Sequence, residues 1–159
     1  MIHILTTGGT IEGLDYENKI SQSKIVIKEF LASANVSTPY IIEKAFAKDS
    51  RSITEEDRKV LLEKIKTSSS NHILITHGTY TMEETAAYLG KQGLDKTIVL
   101  VGSFIMGHFK NTDAPFNLGF AISSLQLLKP GVYVAMNGTV FPGNNVTKNI
   151  ETNKFMLKK

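Results

Sequence analysis

Twice in this chain a short run of aliphatic residues stops abruptly at glycine and threonine. Met1, Ile2, Ile4 and Leu5 lead into Thr6-Thr7-Gly8-Gly9-Thr10-Ile11, and Ile73, Leu74 and Ile75 lead into Thr76-His77-Gly78-Thr79-Tyr80-Thr81. A short apolar run bounded by turn residues reads as a buried strand. Glycine directly after it lets the backbone turn where a Cβ would clash. In open α/β sheets ligands bind beyond the C-terminal ends of the strands, so Thr7, Thr10 and Thr79 are expected at the mouth of a site with backbone N–H groups around them. From the first string alone, a plain strand-to-loop turn is an equal alternative. Its repetition some seventy residues on, now leading into a helix, favours a site.

The stretches between and after these runs alternate helix and strand. Glu12 to Ser21 is polar and aperiodic and reads as a loop beside the first turn, with a lid as its functional reading. Ile27, Phe30, Leu31 and Ala34 recur at helical spacing after Ser23, and Tyr40, Ile41 and Ile42 form a second strand. Thr54 followed by Asp57 is a capping-box-like helix start, with Val60, Leu61, Leu62 and Ile65 as the buried stripe. A helix follows from about Met82 to Leu89, and then the β-branched run Thr97-Ile98-Val99-Leu100-Val101. Asp113-Ala114-Pro115 opens another helix, with an acid at the N-cap and proline in the first turn, and Leu118, Ala121, Ile122 and Leu125 as its apolar face. Val132 to Met136 is a fifth strand, and Asn137-Gly138 turns it into a hairpin with Thr139-Val140-Phe141. Five strands separated by helices predict a three-layer α/β/α domain around a mostly parallel, Rossmann-like sheet.

At 159 residues the chain suffices for one full core and is short for two, and no Pro/Gly/Ser linker divides it, so 1–159 reads as a single domain. Eighteen basic against fifteen acidic residues are scattered except near Lys154–Lys159, which is a solvated surface rather than a nucleic-acid or membrane footprint. The absence of cysteine excludes disulfides and thiolate chemistry and fits a reducing cytoplasm. No run approaches the ~20 apolar residues of a membrane span. Neither G-x-G-x-x-G nor G-x-x-x-x-G-K-[ST] occurs, which argues against a nucleotide cofactor. His77 has no second ligand at metal spacing, so it reads as a structural histidine; no metal or cofactor is expected.

The two strings TGGTI and HGTYTMEET resemble the paired threonine motifs of the bacterial-type L-asparaginase family. The resemblance covers nearly the whole chain but only the N-terminal, catalytic domain of the usual two-domain members; the short single-domain members are the nearer likeness. It implies amide hydrolysis by a threonine: Thr10 as nucleophile, Thr79 as the second hydroxyl that organises water, and Lys148, in Val146-Thr147-Lys148, as the assisting lysine. A threonine hydroxyl is a weak nucleophile at neutral pH and needs such a base. Backbone N–H groups at the turns of Gly9 and Gly78 would hold the developing oxyanion. Tyr16, in the loop after Thr10, matches a tyrosine that helps activate the nucleophile, and reads equally as an exposed loop aromatic. Ser50 falls where the family grips the substrate's α-carboxylate. Arg51 beside it is either a bidentate partner for that carboxylate or a surface charge. Asp113 to Asn117 matches a family segment that starts a helix and supports the site.

One departure stands out. Where the family pattern has an aspartate that holds the substrate's α-ammonium, this chain has Tyr80, which cannot carry that charge at neutral pH. The expected reaction is hydrolysis of L-asparagine, or a related amide, to the acid and ammonia. A non-catalytic amino-acid or amide-binding protein is the alternative. Because the family completes its site from a neighbouring subunit, a homodimer or homotetramer is expected.

Overall fold

The computed structural model describes residues 1–14 and 23–159. Five parallel strands, β1 (Ile2–Thr6), β2 (Tyr40–Lys44), β3 (His72–Thr76), β4 (Thr97–Val101) and β5 (Gly131–Met136), and the antiparallel edge strand β6 (Thr139–Pro142) form a sheet of order β2-β1-β3-β4-β5-β6. β1, β3 and β4 occupy its centre and are buried almost throughout, which is why they read as continuous apolar runs rather than alternating ones. Four helices, α1 (Ser23–Ser33), α2 (Glu55–Thr67), α3 (Met82–Gly90) and α4 (Ala114–Leu127), complete the three-layer α/β fold, and a small ribbon of β7 (Thr147–Asn149) and β8 (Lys154–Met156) follows β6.

Local chemistry fixes most element ends. Thr54 accepts the Asp57 N–H while the Asp57 carboxylate accepts the Thr54 N–H, a reciprocal capping box at the start of α2. Asn137 and Gly138 both take positive φ, 54° and 71°, as a tight hairpin between β5 and β6 requires. Asn35, at φ 49°, closes the chain's exit from α1. Two stripe assignments change. Val60 is 48% exposed while Leu61, Leu62 and Ile65 are buried, because its direction on α2 falls outside the arc those three define. Ala34 lies past the end of α1 and is exposed.

Parallel pairing in register, Thr6 beside Thr76 and Thr76 beside Val101, brings the C-terminal ends of β1, β3 and β4 level. Their turns therefore meet. A Cβ on Gly9 would lie 2.5 Å from both Cα and N of Gly78, and one on Gly102 would lie 2.5 Å from the His77 carbonyl oxygen. Gly9 also sits at φ 82°. Gly9→Ala combines a left-handed backbone with a clash against main chain that cannot swing away, so it should destabilise the fold by about 2 kcal/mol or more. Gly119→Ala, where a Cβ meets nothing within 4 Å, should not. Thermal or urea unfolding of the two variants separates these outcomes.

Candidate active site

Thr10 opens a short 3-10 turn, Thr10–Glu12, directly after the Gly8-Gly9 bend. Its carbonyl accepts N–H bonds from Gly13 and from Gly107, at 3.0 Å each, which ties the turn to the loop after β4. Thr79 follows Gly78 and is buried, with its hydroxyl 2.9 Å from Lys148 Nζ. Because Gly9 and Gly78 are in backbone contact, the loops carrying the two threonines are packed side by side. Lys148 comes from β7, nearly seventy residues further along the chain. Its backbone N–H donates to Glu83 Oε2 at 2.8 Å, so the first turn of α3 holds the strand that presents the lysine. Burial, and then the nearby charge of Arg51, push the Lys148 ammonium below the ordinary lysine range.

Ser50 packs against the second turn. A Cβ on Gly78 would lie 2.7 Å from Ser50 Oγ, which itself accepts the Tyr80 N–H at 3.2 Å. The Ser50 carbonyl accepts the Thr81 hydroxyl at 2.7 Å. Arg51 makes a bidentate pair with Asp49, Nε to Oδ1 at 2.8 Å and Nη2 to Oδ2 at 3.1 Å. That guanidinium holds the Asp49 carboxyl below its usual range, against the opposing effect of partial burial. Tyr80 is 50% exposed, and its ring faces two cations: Lys148 Nζ lies 4.1 Å and the Arg51 guanidinium 4.6 Å from the centroid. Lys148 Nζ also lies over the Phe104 ring, 5.3 Å from its centroid. Thr10, Gly9, Ser50, Arg51, Gly78, Thr79, Tyr80 and Lys148 thus belong to one connected cluster of turns; Tyr16 lies outside the described residues.

His77 supports this cluster without facing it. It is fully buried; its Nδ1 is 2.7 Å from the Gly78 carbonyl oxygen and its Nε2 2.9 Å from Thr85 Oγ1, which also accepts from Arg58 Nε at 3.2 Å. A carbonyl can only accept, so Nδ1 carries the proton and Nε2 accepts from the Thr85 hydroxyl. Burial lowers the imidazole pKa to about 4. The loop after β4 is fixed from α4: Asp113 does not cap its helix with its side chain but accepts N–H bonds from Phe104 and Ile105, and Asn117 Nδ2 bridges Asp113 to the Gly102 carbonyl. Asp113 stands at the N-cap position with proline in the first turn, as expected, but its carboxylate bonds the loop after β4, which folds back over the helix start, rather than the helix's own N–H groups.

Glu12, the first residue of the loop expected over residues 12–21, is not at the surface; residues 15–21 of that loop, and with them the lid reading, lie outside the described residues. Glu12 is 1% exposed and packed beneath the turn, its carboxylate accepting the Gly8 N–H, with Thr76 Oγ1 3.4 Å away. Neither Glu12 nor Glu83 is detectable from sequence spacing, since each acts on a partner that only strand register or chain return brings near.

The chain matches the family model "Asparaginase, N-terminal" over residues 1–157. It belongs to the asparaginase family. The glutaminase-asparaginase of Acinetobacter glutaminasificans is 35% identical over 170 residues, covering 96% of this chain and 51% of the relative. L-asparaginase 2 of Escherichia coli is 33% identical over 173 residues, covering 99% of this chain and 49% of that protein. The thermostable L-asparaginase from Thermococcus kodakarensis superposes with a TM-score of 0.81 at 28% identity, over 98% of this chain and 50% of that one. The chain therefore spans about half the length of these asparaginases. Among the described residues, no helix is long and apolar enough to cross a membrane, and no three His, Asp or Glu side chains gather as a metal site.

Glu12 and His77 load the pH dependence of stability in opposite directions. Burial, outweighing the bonds from Gly8, Thr6 and Thr76 and the charge of Lys44, raises the Glu12 pKa from 4.5 to about 7. The folded chain thus binds the extra proton between about pH 4.5 and 7, and stability is lost as pH rises through that window, by roughly 3 kcal/mol in all. His77, with a lowered pKa, removes stability as pH falls from about 6.5 towards 4. The difference in unfolding free energy between Glu12→Gln and wild type should therefore grow in the variant's favour from pH 5 to pH 8, measured by urea titration at each pH.

Proposed function

We propose that this chain carries the amide-hydrolysing site of an asparaginase-type amidohydrolase, converting L-asparagine or a related side-chain amide to the acid and ammonia. The observation that supports this reading best is the contact between Lys148 Nζ and Thr79 Oγ1, beside a second threonine turn held against the first. Thr10 Oγ attacks the amide carbon as its proton passes to a neighbouring base. The C–N bond then breaks, ammonia leaves with that proton, and an ester to Thr10 remains. Water, oriented by Thr79 and activated by Lys148, cleaves the ester and restores the hydroxyl. Burial and the Arg51 charge lower the Lys148 pKa, the direction that a lysine acting as a base requires. The N–H groups of the glycine turns supply dipoles for the oxyanion. Ser50, with Arg51 at the rim, receives the substrate's carboxylate.

The purified chain should release ammonia from L-asparagine, L-glutamine or succinamate, which is asparagine without its α-amino group. Thr10→Ala should abolish that release, and Lys148→Met should lower kcat by about 10²–10⁴-fold. No ammonia from any of the three amides overturns the proposal, and thermal stabilisation by them without turnover would mark a binding protein instead.

Tyr80 sets the substrate preference within this reading. Its ring already faces two cations and offers no anionic partner to an α-ammonium. Asp49 is committed to Arg51, and Glu12 is buried on Gly8. L-asparagine should therefore be turned over poorly relative to succinamate. Tyr80→Asp should raise kcat/KM for L-asparagine more than for succinamate, by about tenfold or more for one recovered charge-assisted contact. Equal changes on both amides would remove Tyr80 from specificity.

The open, half-exposed rim at Tyr80 fits completion by a second copy, so a homodimer or homotetramer is proposed as the working form. Sedimentation velocity should show association above the monomer mass of 17.5 kDa, and a concentration-independent monomer would refute it.

A further inference from the structure

Among the described residues, the carboxyl of Glu12 is the one buried acid under the threonine turns that the proposed chemistry leaves unused. It sits two residues after Thr10 and folds back to accept the N–H of Gly8, inside the bend that carries Thr10. The same oxygen, Oε2, lies 3.4 Å from the hydroxyl of Thr76, the last residue of β3 and the one preceding His77-Gly78-Thr79. One carboxyl thus touches the root of both threonine loops. It has no salt-bridge partner among the described residues. The charged and titratable groups around it are Lys44 at the end of β2, acting only at longer range, Lys48, engaged by Asp57 at 2.7 Å, His108, whose Nδ1 would lie 3.1 Å from a Cβ on Gly13, and the buried His77.

The proton on such a group changes the direction of its hydrogen bonds. Ionised, the carboxylate only accepts, drawing in the Gly8 N–H together with the hydroxyl donors of Thr6 and Thr76. Protonated, one oxygen becomes a donor, the acceptor strength towards Gly8 drops, and a hydroxyl must turn to receive it. Gly8, at φ 98°, has no side chain with which to compensate, so the bend is held through its N–H.

We propose that Glu12 is a positioning residue for the nucleophile turn: its ionised carboxylate draws Gly8 onto the end of β3 and sets Thr10, and its protonation releases that hold. This rests on the reading of Thr10 as the nucleophile, but the hold itself is a property of the fold. A carboxyl titrating at about pH 7 places the switch in the working range.

Two readouts test it. In the first, the backbone amide resonance of Gly8 is followed from pH 5 to 9 by NMR in wild type, Glu12→Gln and, as a control for the nearby ring, His108→Gln. The Gly8 N–H should move with an apparent midpoint near pH 7 in wild type and His108→Gln and stay flat in Glu12→Gln, whatever the chain does to amides. A flat wild-type profile, or a midpoint that follows His108, overturns the proposal. In the second, kcat and KM on the best amide are measured at pH 6 and pH 8. The ratio of wild-type to Glu12→Gln kcat should fall about tenfold from pH 8 to pH 6, as a single group of midpoint 7 requires, with KM little changed. Since the glutamine oxygen still accepts the Gly8 N–H, Glu12→Gln should keep more kcat at pH 8 than Glu12→Ala. A pH-independent ratio reduces Glu12 to packing. If no amide is turned over, the Gly8 titration still decides the hold while the reading of Thr10 fails separately.

Discussion

Backbone-to-backbone contact between the strand-end turns is the constraint on which the rest of this structure depends. Gly9 lies on Gly78, and Gly102 on the His77 carbonyl, at separations that leave no room for a Cβ. Three loops from three neighbouring strands can approach this closely only because the strands are parallel and in register, ending level at Thr6, Thr76 and Val101. The threonines then need no long-range device to find one another. They follow the glycines by one residue and are delivered by the sheet.

Close-packed turns bury main-chain polar groups, and the fold answers with side chains that are buried, as at Glu12, His77 and Asn117, or partly buried, as at Asp113. His77 donates to the Gly78 carbonyl, Asp113 receives Phe104 and Ile105 N–H, Asn117 reaches the Gly102 carbonyl, and Glu12 receives Gly8 N–H. An unpaired buried polar group is costly, so each side chain is as much a part of its turn as the glycine. The arrangement also explains why two groups with displaced pKa values lie beneath the site rather than in it. Both are desolvated by the same packing, which pushes a carboxyl up and an imidazole down.

Lys148 stands apart from this scheme, since it arrives from the C-terminal ribbon rather than from a strand end of the sheet. Its position depends on Glu83 holding its backbone and on the aromatic faces of Tyr80 and Phe104 flanking its ammonium. The rim of the site is therefore assembled from side-chain contacts, whereas its floor is backbone packed on backbone.

The sequence by itself determined the layers and much of the floor. Central strands buried on both sides appear as unbroken apolar runs, Thr54 and Asp57 mark a helix start three residues apart, and Asn137-Gly138 marks a hairpin, because each signal is carried by neighbours along the chain. The threonine motifs were legible for the same reason. Only the tertiary structure decided that the Asp113 carboxylate bonds a loop rather than its own helix, that Glu83 holds Lys148, and that Glu12 is buried beneath Gly8. These facts depend on where strand register and chain return place a distant partner. A polar residue's spelling is the same whether its partner is water or a buried N–H, and only packing tells the two apart.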